Sequence, residues 1–305
     1  MNRIVKKTFE NIPCLEVLFR HVFFHSKKRV KKFNKKHKKT PKVFDAQFVE
    51  RFLKDNLREG DIVIAHTRMS ALKLFGYNPN TIIELILKII GPSGTLFIPA
   101  MPYYEELFKE KTFKCTFDDV LAYDSEKTPS WTGVVGNVFI NDFSARRSLM
   151  PYCSLAGKGP FVAKAFSNEL DDDYIFSVNS PWHKLMEANA KIIFLGAEAY
   201  DSITEAHVVE DSCPDFKING WHFLVKFKIN KNIEKEYWIR KPFWNKYLTE
   251  FYNIKQLKKN GIISLRVKHN VELSCISSFK SLYDYYCKNI TKNTLFRIPK
   301  KYLKG

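Results

Sequence analysis

The chain has 305 residues, of which 45% are hydrophobic and 27% are charged, and its formal net charge is +18. This length and apolar content are enough to bury a core, which excludes a chain that is disordered throughout. No apolar run reaches the roughly 20 residues that a membrane-spanning helix needs, so we do not expect an integral membrane protein.

The predicted elements begin with a basic extension, residues 1–42, which carries 14 Lys or Arg and 2 acidic residues. Apolar residues within 15–23 recur at helical spacing, and a nearly continuous Lys/Arg run follows over residues 27–39. This pattern is typical of an amphipathic helix on an anionic membrane surface. A helix docked on the protein body, with a solvated lysine tail, is the alternative. Nucleic-acid binding is disfavoured, because the rest of the chain contains no recognition module for it.

Alternating strands and helices are predicted over the central domain, residues 43–254. Strands are expected at 61–66, 95–100, 154–156 and 191–196, and helices at 80–90, 132–141 and 202–210. Gly91-Pro92-Ser93-Gly94 marks the turn between the first helix and the second strand. Buried strands that alternate with helices predict an α/β fold with a largely parallel central sheet and helices on both faces.

The pattern changes after Pro214. Residues 221–229 and 234–240 alternate apolar and polar side chains around Asn230-Lys231-Asn232, which predicts an antiparallel hairpin. A helix at 243–251, a strand at 262–267 and a helix at 277–288 complete a C-terminal α+β segment. Residues 255–305 form a basic C-terminal segment, with 12 Lys or Arg and 2 acidic residues, and we expect it to belong to the same fold.

The six cysteines are scattered and contain no C-x-x-C pair, which argues against a disulfide framework and a zinc ribbon. Free thiols suit a reducing compartment. The basic opening residues are not followed by an unbroken apolar stretch and a cleavage site, so we expect no secretory signal. These features predict a cytoplasmic protein, with peripheral contact at the inner membrane face if residues 1–42 bind lipid.

Short motifs follow one another between residues 60 and 211. They are H-x-x-x-S-A-L at 66–72, G-P-x-G-T-L at 91–96, Y-D with T-P-S-x-x-G at 123–133, R-S with P-x-x-S-x-A-x-x-G-P at 147–160, S-P at 180–181, L-G at 195–196 and T-x-x-H-x-x-E at 204–210. Their identity and order resemble the aminoglycoside 3-N-acetyltransferase family, and the chain is identified as a divergent member. Residues 1–50 and 215–305 match the family much less well.

The resemblance implies an α/β fold and an acyltransferase that moves the acetyl group of acetyl-CoA, its co-substrate, to a sugar amine without a structural metal. One position departs from the family pattern, because Met150 stands where the family has the histidine of R-S-x-H-P. This departure supports an alternative, a catalytically lapsed family member that acts as a ligand- or membrane-binding protein.

The resemblance also implies a set of site residues. The candidate catalytic residues are His207, Glu210 and Asp124, and the candidate cofactor-binding residues are His66, Ser70, Thr128, Ser130 and Arg147. The i, i+3 spacing of His207 and Glu210 places them on one helix face, where His207 would be the base and Glu210 or Asp124 would orient it or bind the ammonium. The hydroxyls of Ser70, Thr128 and Ser130 could bind phosphate or carbonyl oxygens, and Arg147 could pair with a coenzyme A phosphate. The same residues also have purely structural explanations: they could belong to a buried hydrogen-bond network, cap helices, form turns or be solvated charges.

The transferase hypothesis expects Asp124, Ser130 and His207 to converge on one cavity at an end of the sheet, where the loops of α/β proteins gather ligands. Cys153 is an alternative nucleophile that His207 would activate through an acyl-enzyme. Free cysteines are, however, more often buried and inert.

The charge distribution bears on the acceptor. Residues 43–254 carry 24 basic and 28 acidic residues, so the basic character belongs to the flanks. A polycationic antibiotic would be repelled by a chain of net charge +18. The phosphates of a nucleotide- or lipid-linked amino sugar would instead be attracted to the basic flanks. The predicted function is N-acylation of a small-molecule amino sugar, either in surface-polysaccharide biosynthesis or in aminoglycoside modification.

Overall fold

The computed structural model describes residues 44–109, 114, 116–245 and 253–290. The basic extension at 1–42 lies outside these residues. The strands are β1 (Ile62–Thr67), β2 (Thr95–Pro99), β3 (Val120–Tyr123), β4 (Arg146–Arg147), β5 (Leu155–Lys158), β6 (Lys191–Leu195), β7 (His222–Ile229), β8 (Ile233–Arg240), β9 (Ile263–Lys268) and β10 (Val271–Ile276). Strands β1, β2 and β6 therefore occur where buried apolar runs predict them.

The helices pack around these strands. They are α1 (Gln47–Asn56), α2 (Met69–Leu72), α3 (Pro79–Ile90), α4 (Glu105–Lys109), α5 (Val134–Phe143), α6 (Val162–Ala165), α7 (Pro181–Glu187), α8 (Ala199–Ser202), α9 (Val208–Ser212), α10 (Ile254–Lys259) and α11 (Phe279–Ile290), with 3-10 turns at Lys73–Phe75 and Thr204–His207. Helix α3 starts with an Asn78 capping box and Pro79 at its first turn, and it ends at Ile90 with Gly91 as its C-cap. None of the helices in the described part of the chain is long and apolar enough to cross a membrane.

Seven strands form the main sheet in the order β4-β5-β2-β1-β6-β10-β9. Strand β1 lies parallel to β2 and to β6, with Ile64 opposite Phe97 and His66 opposite Phe194. The α/β class is confirmed, and the expected parallel arrangement holds for these three central strands. The outer strands are antiparallel, so the sheet as a whole is mixed.

Short turns that contain residues with positive φ explain part of the antiparallel pairing. His269 and Asn270 both have positive φ, 53° and 61°, and they join β9 to β10 in a tight hairpin that places β10 beside β6. The predicted hairpin of β7 and β8 is confirmed, and its turn uses Asn230 and Lys231 with φ of 45° and 68°. Together with β3, which runs parallel to β7, this hairpin forms a second sheet of three strands.

Two hydrophobic clusters cover the faces of the main sheet. Ile64 and Phe194 belong to the cluster that includes residues of α7, α9 and α11, whereas Val63, Ala65 and Leu195 belong to the cluster that includes residues of α1, α3 and α5. Successive strand residues point to opposite faces, which produces this division. Helices therefore cover both faces of the sheet, as the sequence predicts.

Two predicted helices differ from the structure. The helix expected at 202–210 is divided into α8, a 3-10 turn and α9, because Ile203 leaves the helical region with φ −77° and ψ 75°. The helix expected at 243–251 is described only to residue 245, where residues 242–245 form a 3-10 turn, and the rest lies outside the described residues.

Candidate functional site

Two neighbouring cavities lie at the carboxyl ends of β1 and β2. The larger, of about 300 Å³, is lined by Ala65, His66, Thr67, Ile98, Pro99, Met101, Trp131, Thr132, Gly136, Ala197, Ser202 and Thr204. The smaller, of about 140 Å³, is lined by Met101, Tyr152, Cys153, Ile175, Phe176, Thr204, His207, Asp211, Ile239 and Arg240. Met101 and Thr204 belong to both walls, so the two cavities are direct neighbours.

A buried cluster of charges surrounds His207 at the smaller cavity. The Nδ1 atom of His207 lies 2.5 Å from Oε1 of Glu210, and Nη1 of Arg240 donates to the same oxygen over 2.7 Å. The indole Nε1 of Trp221 donates to Oε2 of Glu210 over 3.1 Å. Both carboxylate oxygens of Glu210 are therefore held by donors from other elements.

The arrangement determines the charge of each member. Burial alone would raise the pKa of Glu210, but Arg240 and His207 together lower it to about 2, so the carboxylate is ionised. Burial lowers the pKa of His207, and the positive charge of Arg240 lowers it further. Nη1 of Arg240 also lies 2.7 Å from Nδ1 of His207. Glu210 and Arg240 therefore both approach the Nδ1 side of the ring, and these two contacts fix the orientation of the imidazole.

The histidine of a second histidine–carboxylate pair lines the larger cavity. His66 ends the buried part of β1, and its Nε2 lies 2.8 Å from Oε1 of Glu205. The ring stacks on Phe194 of the neighbouring strand at a centroid distance of 4.9 Å. The two cavities therefore each contain one oriented imidazole.

A glycine shapes the loop that follows β1. Gly196 has φ of +69°, and a Cβ there would lie 2.5 Å from the Cβ of Ala71. The N–H of Arg68 donates to the carbonyl of Leu195 over 3.0 Å, which ties this loop to the end of β6. Ser70 lies in the same loop on α2, where it is exposed and lines neither cavity.

Ser130 and Thr128 shape the segment that enters α5. The hydroxyl of Ser130 lies 2.8 Å from that of Thr132, and Thr132 donates to the carbonyl of Pro99 over 2.7 Å. The hydroxyl of Thr128 accepts from the N–H of Asp124 over 2.8 Å. Ser130 is thus one residue away from the wall of the larger cavity, whereas Thr128 closes a turn.

Asp124 lies outside both cavities. Its Oδ1 accepts from the backbone N–H groups of Glu126 and Lys127, both over 3.0 Å, and the Lys127 N–H lowers the pKa of the Asp124 carboxyl. The structure therefore places His207 at one cavity, Ser130 behind the wall of the other and Asp124 at neither.

Arg147 is buried beneath the same loops. Its guanidinium donates to the carbonyls of Thr128 and Ala100, and its carbon Cζ lies 5.1 Å from the ring centroid of Tyr123. It lines neither cavity. These bonds bind the loop after β2 to the loop after β3.

Met150, at the position that departs from the family motif, is a core residue. Its side chain is 1% exposed and packs in the hydrophobic cluster that also contains Ile64. Cys153 lines the smaller cavity with φ of 57°, and burial raises the pKa of its thiol to about 12.

Sequence reasoning did not single out Arg240, Trp221 or Glu205. Arg240 and Trp221 lie outside the motif-bearing residues 60–211, and no local spacing connects them with Glu210. Glu205 occupies an unspecified position of T-x-x-H-x-x-E, 139 residues from His66. The only feature of the sequence that could have pointed to Glu205 is its position directly after Thr204 in this motif.

The family comparison agrees with this architecture. The family model described as aminoglycoside 3-N-acetyltransferase matches residues 64–285, which is more than half of the chain. The chain belongs to the aminoglycoside 3-N-acetyltransferase family. The match covers both histidine–carboxylate pairs and continues through β7 to β10, beyond the part of the chain where the motifs occur.

Individual relatives of this aminoglycoside 3-N-acetyltransferase family member are distant. Aminoglycoside N(3)-acetyltransferase IX of Micromonospora chalcea is 29% identical over 176 residues, which cover 50% of this chain and 57% of that protein. The chain thus aligns with little more than half the length of this relative.

Solved structures establish the fold more completely. The crystal structure of the aminoglycoside acetyltransferase AAC(3)-Xa superposes on this chain with a TM-score of 0.64 at 18% identity. The superposition covers 84% of this chain and 95% of the AAC(3)-Xa chain. The binary structure of AAC-IIIb with CoASH superposes with a TM-score of 0.59 at 18% identity and covers 80% of this chain and 96% of its own. Identities this low show a shared fold.

Proposed function

We propose that this protein is an acyl-CoA-dependent N-acyltransferase that acetylates the amino group of an amino sugar. The observation that carries the proposal is the pair of cavities that share Met101 and Thr204, with His207 at one and His66 at the other. A two-substrate transfer needs two binding spaces that meet at the reacting atoms.

The larger cavity suits the acyl-CoA arm. It lies between the end of β2 and the start of α5, with Trp131, Thr132 and Gly136 in its wall. The first N–H groups of a helix favour an oxygen that gains negative charge, as a thioester carbonyl does during attack. Gly136 allows the first turn of α5 to lie close to the end of β2, because a Cβ there would lie 3.0 Å from the carbonyl oxygen of Pro99.

The smaller cavity suits one sugar ring that carries the amine. Its volume of about 140 Å³ is below the roughly 300–1,000 Å³ of pockets for drug-sized ligands. Tyr152, Phe176 and Ile239 supply apolar wall, and Asp211 and Arg240 supply polar groups. A single ring therefore matches this space better than a complete multi-ring aminoglycoside does.

His207 is the proposed base. Its lowered pKa keeps the imidazole neutral near pH 7, so Nε2 can take a proton from the amine as the amine attacks the thioester carbonyl. Glu210 positions the ring through Nδ1, and Arg240 and Trp221 hold Glu210 in place.

The basic flanks favour an acceptor that carries phosphate. Residues 1–42 and 255–305 are strongly basic, so a nucleotide-linked or lipid-linked amino sugar is attracted, whereas a free polycation is repelled. An acceptor of this type would place the protein in surface-polysaccharide assembly, at a membrane face if residues 1–42 bind anionic lipid. Sedimentation with anionic and neutral vesicles, with and without residues 1–42, tests the lipid contact.

The activity test measures release of the CoA thiol by the full-length protein. Acetyl-CoA is supplied with free amino sugars, nucleotide-linked amino sugars and aminoglycosides. We expect release with at least one amino sugar and a loss of about 10²–10⁴-fold in His207→Gln. His183→Gln is the matched control, because His183 is also buried yet lines neither cavity. Absence of release with every acceptor contradicts the proposal.

The alternative, a family member that has lost catalytic activity, rests on Met150 and predicts a different result in the same assay. A protein that binds CoA, measured by calorimetry, but never releases thiol from acetyl-CoA with any acceptor has lost the chemistry. The structure places Met150 in the core, and the His207 cluster is complete without it.

A further inference from the structure

The His66–Glu205 pair has the features of a second proton-transfer group. Nε2 of His66 is engaged by Glu205 over 2.8 Å, and stacking on Phe194, with 15° between the ring planes, fixes the ring orientation. No hydrogen bond within the described part of the chain reaches Nδ1 of His66, and the ring lines the larger cavity. Glu205 thus orients the imidazole through Nε2, whereas Nδ1 can contact a molecule in the larger cavity.

Glu205 is a buried carboxyl group with few hydrogen-bond partners. Its side chain is buried, and among the residues that the structure describes Oε2 has no hydrogen-bond partner. A buried carboxylate with so few donors is costly unless an opposite charge balances it. Among the described residues, His66 is the group in contact with Glu205 that can carry a positive charge, and its Nε2 lies 2.8 Å from Oε1 of the carboxyl group.

The two imidazoles differ in their surroundings. His207 lies beside Arg240, which disfavours a protonated ring, whereas His66 is paired with a carboxylate. Two titratable groups in contrasting environments are the usual arrangement of an acid and a base in one active site. Thr204, in both cavity walls, directly precedes Glu205 and lies three residues before His207.

We propose that His66 is the general acid of the transfer reaction, with Glu205 as its positioning residue. The proposal rests on the acyltransferase function above. The amine nitrogen forms its bond to the thioester carbonyl carbon, and His207 Nε2 takes the proton that this nitrogen loses. As the carbon–sulfur bond breaks, its electron pair goes to sulfur, and Nδ1–H of His66 donates the proton that makes the CoA thiol. The products are the amide, free CoA, protonated His207 and neutral His66, and solvent restores both rings.

Variation of the leaving group tests this role. Acetyl-CoA is compared with an acetyl thioester of a strongly acidic aryl thiol, whose thiolate leaves without protonation. We expect His66→Gln to lower kcat about 10²-fold or more with acetyl-CoA but less than about 10-fold with the aryl thioester. His207→Gln should lower kcat equally with both donors, and His183→Gln should change neither.

A second variant and a spectroscopic measurement keep the test independent of folding. Glu205→Asp and Glu205→Gln should show the same dependence on leaving group as His66→Gln, more weakly in the Asp variant, and thermal unfolding checks that each is folded. The ¹⁵N shifts of His66 in the wild-type protein should report protons on both ring nitrogens near pH 7.

The outcomes separate this proposal from the function on which it rests. Turnover in the wild type with equal losses for both donors in His66→Gln overturns the acid role and leaves the transferase intact. A neutral His66 ring in the ¹⁵N spectra also overturns it. Absence of wild-type turnover with every acceptor overturns the transferase function and, with it, the role of His66.

Discussion

Nη1 of Arg240 lies 2.7 Å from Oε1 of Glu210, in a contact that joins the last residue of β8 to helix α9. The carboxylate side chain is only 2% exposed. The same arginine stabilises the anion of Glu210 and destabilises a protonated His207, so one side chain determines the charge of two others.

Replacement of Arg240 by Met should move the acidic limb of the kcat/KM profile to higher pH. Arg240 lowers the pKa of His207, so its removal raises that pKa and leaves the base protonated over a wider acidic range. Loss of the partner of a buried Glu210 should also cost about 3–5 kcal/mol of stability. The control is Arg240→Lys, which keeps the charge and should keep the limb near its wild-type position. An unchanged limb in Arg240→Met contradicts the assignment of His207 as the base.

Cys153→Ser should retain activity within about 3-fold. Burial raises the pKa of the thiol to about 12, so almost no thiolate, the nucleophilic form, exists near pH 7. Steady-state kinetics with acetyl-CoA and intact-protein mass spectrometry after a short incubation measure the outcome. Complete loss of activity, together with an acetyl adduct on the wild-type thiol, would establish the acyl-enzyme route instead.

Arg147→Met should lower stability and leave the KM for acetyl-CoA nearly unchanged. The guanidinium is buried and donates to the carbonyls of Ala100 and Thr128. Its loss removes the donor to the Thr128 carbonyl, at about 1–3 kcal/mol, whereas the Ala100 carbonyl keeps the hydroxyl of Ser154 at 2.7 Å. Arg146→Met is the matched control, because this neighbour is exposed. A large rise in KM without a change in the melting temperature would instead indicate contact with a coenzyme A phosphate.

Glu169→Gln should stabilise the protein above neutral pH. Burial raises the pKa of Glu169 from 4.5 to about 7, so the folded state binds the proton more tightly than the unfolded state. Stability from this group is complete below pH 4.5 and is lost as the pH rises through 7, by about 3 kcal/mol in total. Gln keeps an oxygen that can accept from the N–H of Leu149, which lies 3.0 Å from Oε1 of Glu169.

Denaturant unfolding at pH 5 and pH 8 measures this effect. The variant should lose less stability than the wild type between the two pH values, and Glu126→Gln, at an exposed position, should behave like the wild type. Equal pH dependence in wild type and Glu169→Gln would show that Glu169 is ionised in the fold at both pH values.

Local sequence patterns were sufficient for most of the central sheet. Strands β1, β2 and β6 are short apolar runs bounded by polar residues, and the β7–β8 hairpin alternates around Asn230-Lys231-Asn232. Strand β10 was not predicted, because Glu272 and Ser274 interrupt its apolar residues. Its position beside β6 depends on a pairing with residues about 80 positions earlier, which no window of the sequence contains.

The candidate site shows the same division between local and distant information. The sequence by itself determined that His207 and Glu210 would meet, because residues three apart on one helical turn are neighbours, and they do so even though a 3-10 turn replaces part of the expected helix. Only the tertiary structure decided that Arg240 joins them and that His66 is paired with Glu205, since each contact joins residues that spacing cannot relate. Parallel strand order brings the end of β1 beside the segment after β6, and the second sheet brings the end of β8 to α9. Local sequence determines which residues share a turn, whereas the packing of distant elements decides which charges are buried together.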